Sequence, residues 1–274
     1  MRADLHCHTI NSDGVCTLKE VINLAKENNI DILAITDHDN IGVKKELDSI
    51  EIPKGFRVIL GVELSTRYQE KSIHILGYFN DEVGQELKDY FDDMKTRREN
   101  RIKEMIRLLK IHYDIEVDYD SIVKKVKGVI ARPHLAREIS EKYNISFKEA
   151  FDKYLNNQSK AYVPASKIST KDGIELLKRN NALVVWAHPI ETKGIIKEED
   201  IINFGIDGIE GFYPKNKQKD TYRYKLIAED NNILFTAGSD FHDFVSHSMI
   251  GTCYLEGEDL DKFLNKLEHK KKDI

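Results

Sequence analysis

Nine side chains of the kind that bind divalent metal ions are spread along this chain in short polar motifs. Imidazole and carboxylate groups without thiolate suit Zn²⁺, Mn²⁺ or Fe²⁺ and argue against a structural cysteine-type zinc site. A carboxylate such as Glu63 can bridge two ions, and the set is large enough for two or three ions. Its members are His6 and His8 in DLHCHT, Asp13, His38 in ITDHD, Glu63 in GVELS, His74 in IHILGY, His134 in ARPHLAR, and Asp240 and His242 in GSDFH.

The two histidines of DLHCHT are predicted to share one face of a strand. Residues 3–7 are predicted as the first strand, and side chains alternate along a strand, so His6 and His8 point one way and Cys7 the other. Two imidazoles about 7 Å apart on one strand can bind the same ion. An isolated H-x-H pattern is more often structural or accidental. Here the other candidate ligands of the set favour a metal-binding role for it.

Short apolar runs, most of them rich in leucine or β-branched residues, alternate with helical patterns along much of the chain. Runs without polar alternation are typical of strands covered on both faces, and strand–helix alternation predicts a parallel sheet or barrel. Thr17 and Glu20 form a capping box that begins a helix, and further helices are predicted at 169–180 and 217–230. The predicted strands are residues 3–7, 32–36, 57–64, 72–79, 182–187, 207–212 and 233–238.

Most of the candidate ligands lie at or just beyond the carboxyl ends of these predicted strands. Asp13 is in the loop after the first strand, His38 follows the second, and Glu63 ends the third. Asp240 and His242 follow the last strand. Because active sites of parallel α/β sheets and barrels are built at this rim, the positions predict one polar cluster there.

The middle of the chain differs, because residues 85–160 show helical spacing and no convincing strand. Ser146 and Glu149 form a second capping box, which begins a helix that is predicted to end near Leu155. A helical insert within an α/β domain accounts for this change of pattern. The predicted domains are a barrel domain of residues 1–97 and 166–274 and a helical insert domain of residues 98–165.

Composition limits the class of protein. A chain of 274 residues can bury a full core, and a net charge of −5 argues against a general polyanion-binding surface, although it allows a local basic pocket. We find neither a run of about 18 apolar residues nor the apolar segment of a signal peptide. The three cysteines, Cys7, Cys16 and Cys253, form no C-x-x-C pair. We expect a cytoplasmic protein with reduced thiols, no membrane contact and no obligate protein partner.

The motifs, in this order, resemble those of the polymerase-and-histidinol-phosphatase (PHP) superfamily. The resemblance rests on DLHCHT followed by SDG, then ITDHD, GVELS, HILGY and GSDFH, and runs from residue 3 to about 252. ARPHLAR, AYVP (161–164) and WAHP (186–189) are similar to the branch that contains nucleotide phosphatases and a 5′→3′ exoribonuclease. The resemblance implies a distorted (β/α)7 barrel with an inserted helical domain and a trinuclear metal centre at the carboxyl rim.

The resemblance also implies how the ligands divide among three ions. Some family members have histidine at the position of Asp13, and this exchange favours a harder ion such as Mn²⁺ at the third site. His134 comes from the insert and would tie the helical domain to the metal centre. The first ion would take His6, His8, Glu63 and Asp240, the second Glu63, His74 and His134, and the third Asp13, His38 and His242.

Three further residues are predicted to act on the substrate. Arg132, which precedes His134 in ARPHLAR, is placed to bind a phosphate oxygen through paired guanidinium donors. His188, after the strand at 182–187, is predicted to bind phosphate or to protonate the leaving oxygen, with the alternative that it orients a neighbouring group. Lys160, just before AYVP, is a candidate phosphate contact.

Polar and aromatic neighbours of the ligands have supporting roles in this interpretation. Asp4, Asp37 and Asp39 flank ligands and are predicted to orient imidazoles rather than to bind metal. Phe212 and Tyr213 could stack on a base, but aromatic residues at strand ends are more often part of the core.

The predicted activity is metal-dependent hydrolysis of phosphate esters. The substrate is a nucleoside monophosphate, a 3′,5′-bisphosphate or the 5′ end of a short RNA, and a hydroxide that bridges the ions attacks phosphorus. Two to three Mn²⁺, Fe²⁺ or Zn²⁺ ions are the expected cofactors. Two alternatives stay open: a histidinol-phosphate phosphatase, and a non-catalytic PHP module that binds metal or docks a partner. The helical insert argues against the first, and the complete ligand set argues against the second.

Overall fold

The chain divides into two units. The computed structural model describes residues 1–69, 71–80, 82–125, 130–165, 167–245 and 248–270. The first unit comprises Met1–Asp89 and Lys167–Ile274, and the second is Tyr90–Ser166. The insert was predicted to begin at residue 98, whereas the second unit begins at Tyr90, within one continuous helix, Gln85–Tyr113.

The first unit is built on a mixed sheet that curves into a nearly closed barrel. Leu5 N donates to Ala237 O at 3.1 Å and His8 N donates to Phe241 O at 2.9 Å, so main-chain bonds join the two sides of the barrel. In the described residues the strands are β1 (Arg2–Asp4), β2 (Ile32–Ile35), β3 (Arg57–Tyr68), β4 (Lys71–Phe79), β5 (Ile168–Ser169), β6 (Leu183–Trp186), β7 (Gly208–Phe212), β8 (Leu234–Ala237) and β9 (Leu255–Glu256). Their order is β8-β7-β6-β4-β3-β2-β1-β9, and β5 pairs with β3.

Helices connect the strands and make up most of the second unit. The predicted capping box is present, because Thr17 Oγ1 accepts the Glu20 N–H and the Glu20 side chain accepts the Thr17 N–H. No helix within the described ranges is long and apolar enough to cross a membrane. The helices are α1 (Leu18–Glu27), α2 (Val43–Leu47), α3 (Gln85–Tyr113), α4 (Tyr119–Lys125), α5 (Arg132–Tyr143), α6 (Phe147–Ala150), α7 (Thr170–Arg179), α8 (Glu198–Asn203), α9 (Gln218–Asp230) and α10 (Gly257–His269), with a π-helical turn at Phe151–Leu155 and a 3-10 turn at Pro189–Thr192.

Strand β4 is antiparallel to both of its neighbours, β3 and β6, whereas the sequence predicted parallel strands. A parallel connection needs a dozen or more residues, and the link between β3 and β4 is far shorter, so only antiparallel pairing is available. The register places Ser65 opposite His74. Because alternate residues share a face, Glu63 and His74 point to the same side of this hairpin.

Each unit has its own apolar core, which can hold its elements in place. In the barrel, Leu76 on β4 and Val185 on β6 are fully buried among side chains from the other strands. In the second unit, Met105 on α3 and Leu135 on α5 are fully buried in a separate cluster. Burying one such side chain stabilises the fold by about 1.5–3 kcal/mol. The polar groups on the barrel are therefore carried by well-packed strands.

Candidate metal centre

Eight of the nine predicted ligands come together on the barrel unit, on the β3–β4 hairpin and on the segments that follow β1, β2 and β8. They form three groups, and within each group one nitrogen or oxygen atom from every residue lies within 4.8 Å of the others. Groups of this composition could each hold one ion. The groups are His6, His8, Glu63 and Asp240; His38, Glu63 and His74; and His8, Asp13, His38 and His242.

His6 and His8 lie beyond the first strand rather than on it, which corrects the predicted strand at 3–7. Strand β1 ends at Asp4, and the chain continues in an extended path in which Cys7 forms an isolated bridge with Phe241. Because of this pairing, side chains continue to alternate between the two faces after β1 has ended, with Cys7 on one face and its neighbours His6 and His8 on the other. The two imidazoles therefore share a side, and their Nε2 atoms lie 3.2 Å apart.

The first group has the spacing of a tetrahedral metal site. His6 Nε2 lies 3.2 Å from both Glu63 Oε2 and Asp240 Oδ1. His8 Nε2 lies 3.1 Å from Glu63 Oε2 and 3.3 Å from Asp240 Oδ1. With metal–ligand bonds of about 2.0–2.1 Å, the ligand atoms of a tetrahedral site lie about 3.3 Å apart. The four donors thus fit a single ion such as Zn²⁺.

Two carboxylate oxygens of this group support the same interpretation. Glu63 Oε2 and Asp240 Oδ1 are buried and, among the described residues, have no hydrogen-bond partner. A buried polar atom without a partner is costly, so such atoms mark a place where a ligand or ion belongs. The other oxygen of Asp240, Oδ2, accepts a hydrogen bond from the Tyr213 hydroxyl at 3.0 Å, which turns Oδ1 toward the imidazoles.

Glu63 faces different imidazoles with its two oxygens. Oε1 lies 2.8 Å from His74 Nδ1 and 2.8 Å from His188 Nε2. Oε2 lies 3.1 Å from His38 Nδ1, in addition to His6 and His8. Burial alone would raise the pKa of Glu63, but the surrounding histidines lower it well below its usual range. Glu63 is thus an ionised carboxylate with the geometry of a bridging ligand.

Glu63 and His74 occupy the middle of long strands, and for Glu63 this differs from the predicted position at a strand end. Strand β3 runs on to Tyr68, because β4 pairs with it from Leu60 to Tyr68. The rim prediction holds for His38, Asp240 and His242, which follow β2 and β8. The β3–β4 hairpin therefore continues beyond Glu63, and Glu63 and His74 lie on the same face of it.

The imidazoles of the first group and His38 have opposite protonation preferences. Burial alone would lower the pKa of His8, but the negatively charged carboxylates of Asp240 and Glu63 beside it raise it to about 10. Burial of His38 dominates and lowers its pKa to about 4. A metal ion at the first group would therefore have to displace a proton from His8, whereas His38 presents a neutral imidazole.

The third group is looser and more open. His242 Nε2 lies 3.3 Å from Asp13 Oδ1, and His38 Nε2 lies 3.7 Å from Asp13 Oδ2. The Asp13 side chain is 55% exposed. Nδ1 of His242 lies 2.9 Å from Asp240 O, a bond that directs Nε2 toward Asp13. An ion here would be reached from solvent more readily than one in the first group.

Three residues at the centre have left-handed backbone conformations that residues with a Cβ rarely adopt. Their φ angles are +47° at Asp39, +29° at His188 and +53° at Asp240. Such conformations cost about 1–3 kcal/mol each and persist where the surroundings hold them. Their concentration at the polar cluster is typical of a functional site.

Two of the carboxylates predicted to orient imidazoles hold main-chain and hydroxyl groups of the ligand-bearing segments. Asp4 accepts the Ser239 and Gly251 N–H groups at 2.9 and 2.8 Å. Asp37 accepts the Thr9 N–H at 2.7 Å and the Ser12 hydroxyl at 2.7 Å. Neither carboxylate contacts an imidazole directly: Asp4 accepts the His6 main-chain N–H at 3.3 Å, and Asp37 reaches His8 through Ser12 Oγ, which lies 3.4 Å from His8 Nδ1. Asp39 likewise accepts a main-chain N–H, that of Ser65, at 2.7 Å.

Glu210 is a further carboxylate that contacts an imidazole, and it was not predicted from the sequence. Glu210 lies on β7 and is fully buried, and its Oε1 is 3.0 Å from His6 Nδ1. The available signal was a carboxylate inside the otherwise apolar strand Gly-Ile-Glu-Gly-Phe. Tyr213, just after β7, is 3% exposed and contacts Asp240, so it belongs to the core of this site.

Arg132, His134 and Lys160 belong to the second unit. Arg132 and His134 lie in the first turn of α5, and Nδ1 of His134 accepts the Ala131 N–H at 3.0 Å. Lys160 donates its main-chain N–H to the Tyr113 hydroxyl at 3.1 Å. The roles assigned to these three residues stay predictions.

A family model identifies the family to which this chain belongs. The PHP domain model matches residues 4–165, which is more than half of the chain. The chain belongs to the PHP domain family. The match covers six of the predicted ligands on the barrel, and Asp240 and His242 complete the groups from beyond its end.

Relatives of this PHP chain are phosphoesterases by name. A 5′-3′ exoribonuclease of Haemophilus influenzae is 29% identical, over 87% of this chain and 89% of the relative. A 3′,5′-nucleoside bisphosphate phosphatase of Chromobacterium violaceum is 28% identical, over 87% and 86%. A solved structure from Bifidobacterium adolescentis, assigned to the metal-dependent phosphoesterases, has a TM-score of 0.81 at 26% identity and covers 96% of both chains.

These similarities confirm three predictions made from the motifs. The PHP resemblance, the α/β barrel class and the reaction class, hydrolysis of phosphate esters by a metal-dependent enzyme, all stand. The His, Asp and Glu groups suit divalent metal ions as cofactors.

Proposed function

We propose that this PHP chain hydrolyses phosphate esters of nucleotides with two to three divalent ions, Mn²⁺, Fe²⁺ or Zn²⁺, held by the barrel ligands. The observation that carries the proposal is Glu63, whose two oxygens face separate sets of imidazoles. Ions bound there would polarise phosphoryl oxygens and lower the pKa of a coordinated water toward neutrality. The protein contributes ionised carboxylates and neutral imidazoles at fixed positions, and a site that excludes bulk water around Glu63.

The proposed assignment gives the first ion to His6, His8, Glu63 and Asp240 and the third to Asp13, His38 and His242. For the second ion we propose His188 in place of His134, together with Glu63 and His74. Support comes from Glu63 Oε1, which lies 2.8 Å from both His74 Nδ1 and His188 Nε2. Nδ1 of His188 lies 3.6 Å from Glu191 Oε2, beyond hydrogen-bond distance, so the support for this ligand is the position of Nε2.

Arg132 is proposed to bind a phosphate oxygen of the substrate. Its Cζ lies 5.3 Å from the ring centroids of both Phe151 and Tyr162, and its NH1 group donates to Leu155 O and Asn157 Oδ1 at 3.0 and 2.8 Å. All these partners are uncharged. A guanidinium with no counter-charge is suited to take an anion.

Arg101 also lies next to the Tyr162 ring and strengthens this interpretation. Its Cζ lies 5.8 Å from the Tyr162 centroid, and burial and the nearby Arg132 lower its pKa. Within the described part of the second unit, neither Arg101 nor Arg132 has a carboxylate partner. Two like charges held together without a carboxylate favour binding of a phosphate. Lys160 stays a further candidate contact.

Replacing Arg132 by alanine is expected to raise KM for nucleotide substrates roughly 10- to 100-fold. A hydrogen bond between charged groups contributes about 1.5–3 kcal/mol, which corresponds to that range. Metal content should stay at the wild-type value. The matched control is Arg107→Ala, which removes an exposed arginine of α3 paired with Glu104 at 2.7 Å. An unchanged KM in Arg132→Ala with a wild-type melting temperature would contradict the phosphate role.

The substrate class is tested by phosphate release with Mn²⁺. Adenosine monophosphate, 3′,5′-bisphosphoadenosine, histidinol phosphate and a 5′-phosphorylated RNA oligomer are compared at equal concentration, and mononucleotide release is followed for the RNA. We expect kcat/KM for the best nucleotide substrate to exceed that for histidinol phosphate at least tenfold. The net charge of −5 favours small nucleotides over long RNA, which needs a positive track.

The screen also separates the alternatives. A preference for histidinol phosphate would replace the proposed function by a histidinol-phosphate phosphatase. Hydrolysis of none of the four compounds by protein with a full metal load would favour a non-catalytic metal-binding module.

A further inference from the structure

Glu210 occupies the back of the first ligand group, on the strand next to β6 and β8. It is fully buried in the middle of β7, whose other residues are Gly208, Ile209, Gly211 and Phe212. Burying a carboxylate in an apolar strand is unfavourable unless both oxygens find partners. Both do: Oε1 lies 3.0 Å from His6 Nδ1, and Oε2 accepts the His188 main-chain N–H at 2.8 Å.

The contact with His6 determines which imidazole nitrogen can bind metal. A neutral imidazole carries one proton, so the nitrogen that donates to Glu210 leaves the other as an acceptor. Nδ1–H donates to Oε1, and Nε2 then points its lone pair toward the space it shares with Glu63 Oε2 and Asp240 Oδ1, each 3.2 Å away. A carboxylate behind a histidine in this way also makes it a stronger ligand.

The contact with His188 holds an unusual backbone. His188 has φ +29° and ψ +61°, a conformation that residues with a Cβ rarely adopt. Its N–H is tied to Glu210 Oε2, and Pro189 follows it at the start of the 3-10 turn. The orientation that brings His188 Nε2 to Glu63 therefore depends on this one hydrogen bond more than on local preference.

Gly238 shows independently that Glu210 and His6 are tightly packed, because no side chain at position 238 would fit beside them. A Cβ at Gly238 would lie 2.3 Å from His6 Cβ and 2.7 Å from Glu210 Oε1, closer than such atoms approach in proteins. The close approach of the chain after β8 therefore needs glycine here. His6, Glu210 and Gly238 pack as one unit in which no other side chain fits.

We propose that Glu210 is a positioning residue that holds two metal ligands at once, His6 through its imidazole and His188 through its main chain. This inference rests on the metal centre of the proposed function. In the proposed centre Glu63 would bind two ions directly. Glu210 would contact one ligand of each ion, His6 and His188, without binding metal itself. Loss of Glu210 should then weaken both of these ions rather than one.

Glu210→Gln is a sharp test because the amide has one accepting and one donating end. If its oxygen accepts from His188, its NH2 faces His6 Nδ1, which must then accept, and the proton moves to the metal-binding Nε2. If the amide flips, the NH2 group meets the His188 N–H. We expect affinity for Mn²⁺, measured by competition with a chelator, to fall about 10- to 100-fold, with fewer ions retained per chain.

The matched control is Asp207→Asn at the start of the same strand. Asp207 is also buried, but it accepts the Val184 N–H at 2.9 Å and pairs with Lys270 at 2.8 Å. This variant should melt at a lower temperature and bind Mn²⁺ with an affinity close to that of the wild type. Wild-type Mn²⁺ binding by Glu210→Gln would overturn this inference alone, whereas a wild-type chain that binds no Mn²⁺ would overturn the proposed function as well.

A second measurement needs no variant. In the Zn²⁺-loaded wild-type protein, long-range ¹H–¹⁵N spectra report which ring nitrogen of each histidine carries the proton. We expect His6 to be protonated at Nδ1. Protonation of His6 at Nε2 would overturn the positioning role even if Glu210→Gln proved too unstable to purify.

Discussion

Replacing Glu63 by glutamine is expected to reduce phosphate release more than about 100-fold and to lower metal content at two sites together. Residues that only support a ligand typically cost 10- to 100-fold when changed, and a shared ligand should cost more. Glutamine keeps the shape of the side chain but loses the negative charge and one of the two accepting oxygens. Both Oε1 and Oε2 now face imidazoles, so neither replacement orientation serves both ions.

Metal analysis of the purified variant, together with a phosphate-release assay, checks this result. The control is Asp207→Asn, a buried carboxylate outside the cluster, which should keep its ions. Near-normal turnover with a full metal load in Glu63→Gln would contradict the bridging assignment. Loss of only one ion would restrict Glu63 to a single site.

His188→Ala is expected to lose about one ion per chain and most of its activity, whereas His134→Ala keeps the ion. The reason is the position of His188 Nε2, which shares Glu63 Oε1 with His74 at 2.8 Å. A histidine that only donates a proton would leave metal content unchanged when removed. Metal content per chain, measured on protein loaded with excess Mn²⁺ and desalted, separates the two roles.

The comparison of the two variants makes the test decisive. If His134→Ala loses the ion and His188→Ala does not, the ligand set implied by the family resemblance is correct and His188 returns to a role on the substrate. Melting temperatures of both variants show whether either loses its ion through unfolding. His112→Ala, which changes an exposed histidine in the last turn of α3, serves as the matched control.

Local sequence signals predicted much of the barrel. The capping box at Thr17 and Glu20 and the helix at 217–230 depend on residues within a few positions of each other, and both appear where the sequence places them. The apolar runs identified the main strands for the same reason. The ends of the strands were predicted less well. The first strand was predicted to run to residue 7 but stops at Asp4. The segment that follows it pairs with the chain after β8, and no local pattern in the sequence reveals such a contact.

The non-local features of the site escaped the sequence for a physical reason. The strands predicted at 57–64 and 72–79 were too close for a parallel crossover, so the hairpin could have been inferred, but its length depends on pairing that continues to Tyr68. Glu210 is a charged residue in an apolar strand, a signal that was present in the sequence but was not used. Its partners, His6 and His188, are far away in the chain, and only the folded barrel brings them to it.

The main-chain bonds between Leu5–His8 and Ala237–Phe241 also govern when the site can form. His6 and His8 are separated from Asp240 and His242 by more than two hundred residues of the chain, so the second pair is synthesised long after the first. Contacts of such long range form slowly, since the intervening chain must first be ordered. On the ribosome, the proposed first ion would therefore find its four ligands only after Asp240 has emerged, and retention of that ion would report that the barrel has closed.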